Sequence, residues 1–257
     1  METENGNVQS VARIFNIIEV LAAHPQGASL QDISRESSLA KSTAHRLLAS
    51  LVALGYAVQD SFTTHYRLTF KMFELSSGIV NDMDVLSVAK PHIDKLARHT
   101  GEAVHLVLQD GTDIVYLYKA EGTLSSVLRM GSHVGLRNPM YCTGVGKAIL
   151  ATQSYGEAER VWRKSRIQSL TPHTITDFDA FVEQLRAVRM QGYALDNEEN
   201  ELGIRCAAFS LPAMNGRAEA AFSLSGLAPH MTDARIAELV PLAMAAKQDI
   251  LRDLGWR

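Results

Sequence analysis

Between residues 11 and 21 the chain reads Val-Ala-Arg-Ile-Phe-Asn-Ile-Ile-Glu-Val-Leu, with Val11, Ile14, Phe15, Ile18 and Leu21 recurring at steps of three and four. That period predicts an amphipathic helix with these residues on its apolar face. His24-Pro25-Gln26-Gly27 ends it. Ser29 offers an N-cap, with Asp32 three residues on, a variant of the capping box. A short helix over 30–37 follows, with Leu30 and Ile33 turned inward. After the break at Ser37-Ser38-Leu39-Ala40, Ser42 offers a second capped start. Ala44, Leu47, Leu48 and Leu51 then form one apolar stripe. The opposite face opens with Ser42, Thr43, His45 and Arg46, and Lys41 stands just before it. Three helices with a tight turn between the second and third are the helix-turn-helix pattern. Such folds set the early residues of the third helix against base edges in the major groove. Gly55-Tyr56 ends the third helix. Ala57-Val58-Gln59 and His65-Tyr66-Arg67-Leu68, across a polar turn, predict the hairpin wing of a winged helix, where Arg67 and His65 would meet phosphates.

Leu68, Met72, Leu75 and Ile79 keep helical spacing and predict a linker helix that partly buries against a partner. It breaks at Asn81-Asp82-Met83-Asp84. Another helical pattern runs from Val85 to about His99 through Leu86, Ala89, Ile93 and Leu96. Pro91 lacks an N–H donor and is expected to start or kink that segment. From residue 103 the period changes to two. Residues 103–109 and 113–119 alternate around Asp110-Gly111 and predict a hairpin. Residues 123–130 are a third strand candidate. Residues 141–151 turn through Gly144 and Gly146 into a helix, and 178–190 form another, ended by Gly192. Residues 204–211 and 218–225 alternate again across Asn215-Gly216, and 236–254 close as a helix. Antiparallel strands with helices on one side make an α+β domain.

Composition narrows the function classes. A length of 257 residues suits one large domain or two modest ones. With 25 basic and 28 acidic residues the net charge is −3, so no global field dominates. In residues 1–80 the cations are Arg13, Arg35, Lys41, Arg46, Arg67 and Lys71. Of these only Lys41 and Arg46, with His45, are close in sequence, so charge alone does not mark a DNA-binding surface. Two Cys exclude a disulfide framework, and no apolar run approaches the ~18–20 residues that span a bilayer. The acidic, polar start is unlike a secretory leader, so a cytoplasmic protein without membrane attachment is expected. No G-x-S-x-G, H-E-x-x-H or C-x-x-C occurs, and pairing Cys142 or Cys206 with His105 or His133 has no support in spacing. The expectation is therefore no enzyme, no metal and no cofactor.

Gly144-Val145-Gly146-Lys147 is not a P-loop, since Tyr141 stands where that pattern needs Gly and Ala148 where it needs Ser or Thr. Glycines at a helix start either aim N–H groups at a carboxylate or serve a tight turn. Ser223 and Ser225, two apart on a strand, share a face, with Cys206 on the neighbouring strand candidate. They either meet a ligand or satisfy local backbone, with Cys206 a small buried apolar group.

The run Leu39-Ala40-Lys41-Ser42-Thr43-Ala44-His45-Arg46-Leu47-Leu48, followed by Leu51 and Leu54-Gly55-Tyr56, resembles the signature helix and wing entry of the IclR family of bacterial transcriptional regulators. The resemblance continues through Val134-Gly135-Leu136-Arg137-Asn138-Pro139, Thr143–Ala151, Gly192–Glu199 and Gly203–Ala208, so it covers nearly the whole chain. It implies a winged helix-turn-helix domain over 1–68, a linker helix over 69–83 and a GAF-like effector-binding domain over 84–257. It also implies a dimer or tetramer on a palindromic double-stranded operator. The family's DNA-facing positions fall on Lys41, Ser42, Thr43, His45 and Arg46, with Arg46 the strongest contact. Its effector positions fall on Met130, Gly144, Val145, Asp196, Cys206, Ser223 and Ser225. Leu128-Arg129-Met130, Arg137-Asn138-Pro139 and Asp196-Asn197-Glu198-Glu199 are most similar to the branch sensing 2-keto-3-deoxygluconate and other sugar acids. For such an acid, helix N–H groups would hold the carboxylate, Asp196 and the serines the hydroxyls, and Asp196 would repel a carboxylate beside it. The expected function is a repressor of a catabolic operon released by a small carboxylate. The alternatives are a DNA binder controlled by a protein partner and an enzyme with an accessory helical domain.

Overall fold

The computed structural model describes residues 9–75, 84–123 and 131–256. The chain divides into two units, residues 1–82 and 83–257.

In the first unit the helical periods become α1 (Gln9–Ala23), α2 (Leu30–Glu36) and α3 (Lys41–Ala53). Their core holds Ile17, Leu21, Ile33, Ala44 and Leu48. The predicted α1 stripe is rotated: Ile17 and Leu21 are buried, Ile14 and Ile18 pack partly, and Val11 and Phe15 are exposed. Ser29 caps α2. Its Oγ accepts the Asp32 N–H at 3.2 Å and donates to Asp32 Oδ2 at 2.6 Å. The cap of α3 is Ala40, not Ser42, and no side chain bonds there. The turn itself sets up the helix, with Ser38 at φ 55° and Ala40 extended. Ser34 Oγ donates to the Leu39 carbonyl at 2.7 Å and Asn16 Nδ2 to the Ser37 carbonyl at 3.1 Å, which ties the turn to α1 and α2. With the backbone so held, Ser42 keeps an exposed side chain on the first turn.

Strands β1 (Ala57–Gln59) and β2 (Tyr66–Leu68) pair antiparallel as the wing. Ala28 and Tyr66 exchange two backbone bonds at 2.9 Å, which fixes the hairpin to the turn before α2. Residues 71–75 are helical; the rest of the expected linker helix, from 76 to 83, lies outside the described residues.

The second unit is a six-stranded antiparallel sheet in the order β5-β4-β3-β8-β7-β6. The strands are β3 (Ala103–Asp110), β4 (Asp113–Ala120), β5 (Arg137–Pro139), β6 (Ala194–Asn197), β7 (Ile204–Pro212) and β8 (Ala218–Leu227). Helices cover both faces, which corrects the expectation of one. α4 (Asp84–Thr100) and α8 (Asp233–Asp253) bury Leu106, Phe209, Phe222 and Leu224. On the opposite face α5 (Gly144–Leu150), α6 (Tyr155–Lys164) and α7 (Phe178–Gln191) pack with Val107, Ala208 and Ala221. The alternation in these strands therefore separates two apolar faces rather than core from solvent. α4 runs through Pro91 instead of starting there, because Val85, Ala89, Ile93 and Leu96 on both sides of it stay anchored in one core. Of the strand candidate at 123–130, residues 124–130 lie outside the described residues.

Candidate functional site

On α3, Ala44, Leu47, Leu48 and Leu51 are buried, and that anchors the opposite edge in the open. Lys41, Ser42, His45 and Arg46 are exposed there, and Thr43 is half-buried. The side chains of Lys41, His45 and Arg46 have no hydrogen-bond or ion-pair partner among the described residues. Arg67 is exposed on β2. Unpaired cations at a helix start, with hydroxyls between them, suit contacts to phosphates and base edges.

The second unit holds a cavity of about 410 Å³ whose wall comes from all six strands, the turn that carries Asn200 and Glu201, and the loop residues Gly131, Ser132, Leu136 and Leu170. Strand register explains the convergence. His105 lies opposite Ser223, Cys206 opposite Ser225, and Asp196 opposite Cys206. His105 Nδ1 is 3.3 Å from Ser225 Oγ and its Nε2 is 2.9 Å from Ser132 Oγ. Ser225 Oγ is 3.3 Å from Ser223 Oγ. The His105 ring also meets Tyr116 edge-on at 5.3 Å. Burial, helped by the charge of Lys119, holds His105 down to about 3, so the imidazole is neutral with one donor and one acceptor nitrogen. Asn138 Nδ2 reaches the Tyr116 hydroxyl at 3.5 Å.

Asp196 forms the facing wall. Its Oδ1 accepts the N–H groups of Glu199 at 2.8 Å and Asn200 at 3.4 Å. Burial and the neighbouring Glu199 charge nevertheless push it up to about 7. The turn is strapped from two sides. Thr171 and Thr174 hydroxyls donate to the carbonyls of Glu198 and Glu199, each at 2.6 Å. Lys147 of α5 donates to Glu199 Oε1 in a buried ion pair. The thiols are not activated: burial and then Asp196 push Cys206 up, and the same causes push Cys142 up to about 12.

Of the residues expected to bind effector, Asp196, Cys206 and Ser225 line this cavity and Ser223 stands one hydroxyl behind it. Gly144 and Val145 are buried at the start of α5, which packs on the same sheet face as the cavity, and they are not among its lining residues. A Cβ on Gly144 would lie 3.2 Å from Asp196 N and from Ala208 Cβ, so glycine lets α5 approach that strand. Gly146 is tighter, since its Cβ would fall 2.2 Å from the Met140 carbonyl oxygen. Its N–H is already taken by Thr143 Oγ1 at 3.2 Å. Met130, with Leu128 and Arg129, lies outside the described residues. The sequence reading passed over His105 as a site residue, and also Tyr116, Asn138, Ser132 and Asn200. For His105 a signal existed: a polar residue at the inward-facing position of an otherwise apolar strand. Among the described residues no cluster of His, Cys, Asp or Glu is placed to hold a metal ion. No helix among them is long and apolar enough to cross a membrane.

A helix-turn-helix unit with an open cationic edge, followed by a sheet unit around a polar cavity, defines a DNA-binding transcriptional regulator. Residues 10–61 match the IclR helix-turn-helix domain, and residues 77–252 match the C-terminal domain of the bacterial transcriptional regulator IclR. The chain belongs to the IclR family. It is 34% identical to the HTH-type transcriptional regulator XynR of Escherichia coli, over 97% of this chain and 98% of the relative. It is 32% identical to the HTH-type transcriptional regulator KdgR of Escherichia coli, over 100% and 96% of the two chains. The crystal structure of the Thermotoga maritima IclR superposes with a TM-score of 0.83 at 30% identity, covering 96% of this chain and 99% of that one. These relatives are named as regulators, not enzymes.

Proposed function

We propose that the protein is a cytoplasmic, homo-oligomeric repressor of a catabolic operon, released by a small hydroxylated carboxylate of the 2-keto sugar acid type. Lys41, Ser42, Thr43, His45 and Arg46 face the major groove and Arg67 the phosphates beside it. Residues 69–83 carry the effector state from the sensing domain, 84–257, to the winged helix, 1–68. The effector works by binding one arrangement of the oligomer better than another, which changes the spacing of the two recognition helices. The observation that carries the sensing half is the cavity. Its volume lies in the range of small-molecule sites, and its wall offers hydroxyls at Ser132 and Ser225, amides at Asn138 and Asn200, a neutral imidazole and the Asp196 carboxyl. That lining matches a ligand carrying many hydroxyls. The resemblance of residues 128–130, 137–139 and 196–199 to the sugar-acid-sensing branch of the family supports the same ligand class.

The test is a thermal-shift screen against sugar acids, short keto acids and aromatic acids. A ligand at 100 times its Kd adds roughly 2.7 kcal/mol to the folded state, so 2-keto-3-deoxygluconate should raise the melting temperature. Asp196→Ala should abolish that shift while DNA affinity stays near wild type. A shift with aromatic acids alone would overturn the sugar-acid assignment. An undiminished shift in Asp196→Ala would remove the cavity from the sensing role.

A further inference from the structure

Two carboxylates and one ammonium are buried together beside the cavity. Asp196, Glu199 and Lys147 are 6%, 5% and 1% exposed. Lys147 is committed to Glu199 Oε1, and Glu199 Oε2 has no partner. Asp196 is bonded only by backbone N–H groups among the described residues. If both acids ionise, the cluster carries one uncompensated negative charge out of water, and a buried acid in that position takes up a proton instead. The other groups facing Asp196 do not supply a cation. Cys206 on β7, Tyr116 on β4 and Cys142 before α5 are neutral acids whose ionisation is opposed by Asp196 or its acidic neighbours. Glu201 is acidic, and His105 across the cavity is held neutral. Lys119 is turned to Glu121 at 3.0 Å and to the Ser132 carbonyl at 3.2 Å. Among the described residues no Lys or Arg lines the cavity.

We propose that Asp196 meets the effector as a neutral carboxylic acid and donates a hydrogen bond to the effector's carboxylate, so that the cavity takes an acid anion and one proton together. This rests on the sensing reading above and reverses the expectation that Asp196 repels the acid. The proton comes from solvent and stays on the Asp196–effector pair, and no covalent bond changes. The position of Asp196 near neutrality in the free protein fits this role, and the anion then strengthens it by favouring the protonated form.

The experiment has two arms. In the first, the full-length protein with 13Cγ-labelled aspartate is titrated by NMR, and Asp196→Asn assigns the resonance by its loss. Asp196 is expected to titrate near neutrality without ligand; a midpoint below about 5, in the ordinary carboxylate range, overturns the proposal. In the second, 2-keto-3-deoxygluconate is titrated calorimetrically between pH 6 and 8.5 in buffers of different ionisation heat. Proton uptake is expected, with affinity falling about tenfold per pH unit above the midpoint. Asp196→Asn, whose amide still donates, is expected to bind with an affinity that no longer varies with pH. Binding by wild type without proton uptake, or an Asn variant that keeps the pH dependence, overturns the proposal. If the sugar acid fails to bind at any pH while Asp196 titrates near neutrality, the sugar-acid assignment fails and the protonated wall stands.

Discussion

The two units hold their functional groups under opposite conditions. On α3, Lys41, His45 and Arg46 stand in solvent, their side chains without hydrogen-bond or ion-pair partners among the described residues. Around the cavity, His105, Asp196, Glu199 and Lys147 are buried and, apart from Glu199 Oε2, held by hydrogen bonds. A side chain that waits for an external partner contributes little to folding, so its loss should appear in binding alone. A side chain that shapes a cavity from within is part of the fold, so its loss should appear first in stability. The contrast predicts which substitutions separate function from folding and which cannot.

The largest effect is expected at Lys147. Lys147→Met leaves Glu199 buried without its cation, and removing one partner of a buried pair costs about 3–5 kcal/mol. Urea unfolding should show that loss, and Lys147→Met with Glu199→Gln should recover most of it. A single variant within about 1 kcal/mol of wild type would mean that the pair does not hold the 196–200 turn. Next in size is Leu48→Ala, which opens a void in the small core of α1, α2 and α3 and should cost about 3 kcal/mol. It should abolish DNA binding and leave any effector-induced thermal shift of the sheet unit in place. Loss of both would show that the units fold as one.

The same contrast explains what was legible beforehand. Helix α3 has its cations and hydroxyls in five nearby residues within 41–46 and its burial in a local stripe, so spacing shows its open edge, and family likeness assigns that edge to DNA. Two details of the first unit were misplaced: the cap of α3, which is Ala40, and the side of α1 on which Phe15 lies. The cavity is assembled from all six strands, the turn after β6 and neighbouring loops, and the strand members meet only through sheet register. Asp196 came into view through family likeness, and Cys206 and Ser225 through both strand spacing and that likeness. His105 did not: its one signal, a polar residue on the inward side of an apolar strand, does not name its partner Ser225, which is 120 positions away. Of the glycines of α5, Gly146 serves packing, since it sits where any side chain would strike the Met140 carbonyl.

On the exposed side, Arg46→Ala should weaken binding to DNA selected by the protein from a random-sequence pool by about 1–3 kcal/mol, the range for a bidentate base contact. Its melting temperature should match wild type, because the Arg46 side chain has no hydrogen-bond or ion-pair partner among the described residues. A gel-shift titration with unchanged affinity would take Arg46 out of the interface, and a lowered melting temperature would break the separation between the two kinds of site.

The smallest effect is expected in the wild-type protein as pH changes, and its two variants give the sharpest test of the buried side, through a pair of opposed pH slopes. His105 is held at about 3 when folded against 6.5 when free. Between those values the unfolded chain takes a proton that the folded chain refuses, so falling pH removes up to about 1.4 kcal/mol per pH unit. Asp196 works the other way. Its folded value near 7 lies above the ordinary 3.8, so its contribution is complete below 3.8 and is lost as pH rises through 7. From about pH 4 to 6.5 the two slopes oppose each other, and wild-type stability should change little on their account. His105→Gln leaves Asp196 alone, so that variant should gain stability as pH falls through this window. Asp196→Asn leaves His105 alone and should lose stability over the same range. Urea midpoints at half-unit pH steps would resolve the two signs. Identical profiles for all three proteins would mean that neither group is held away from its ordinary value, and the polar wall of the cavity would then have to be open to water.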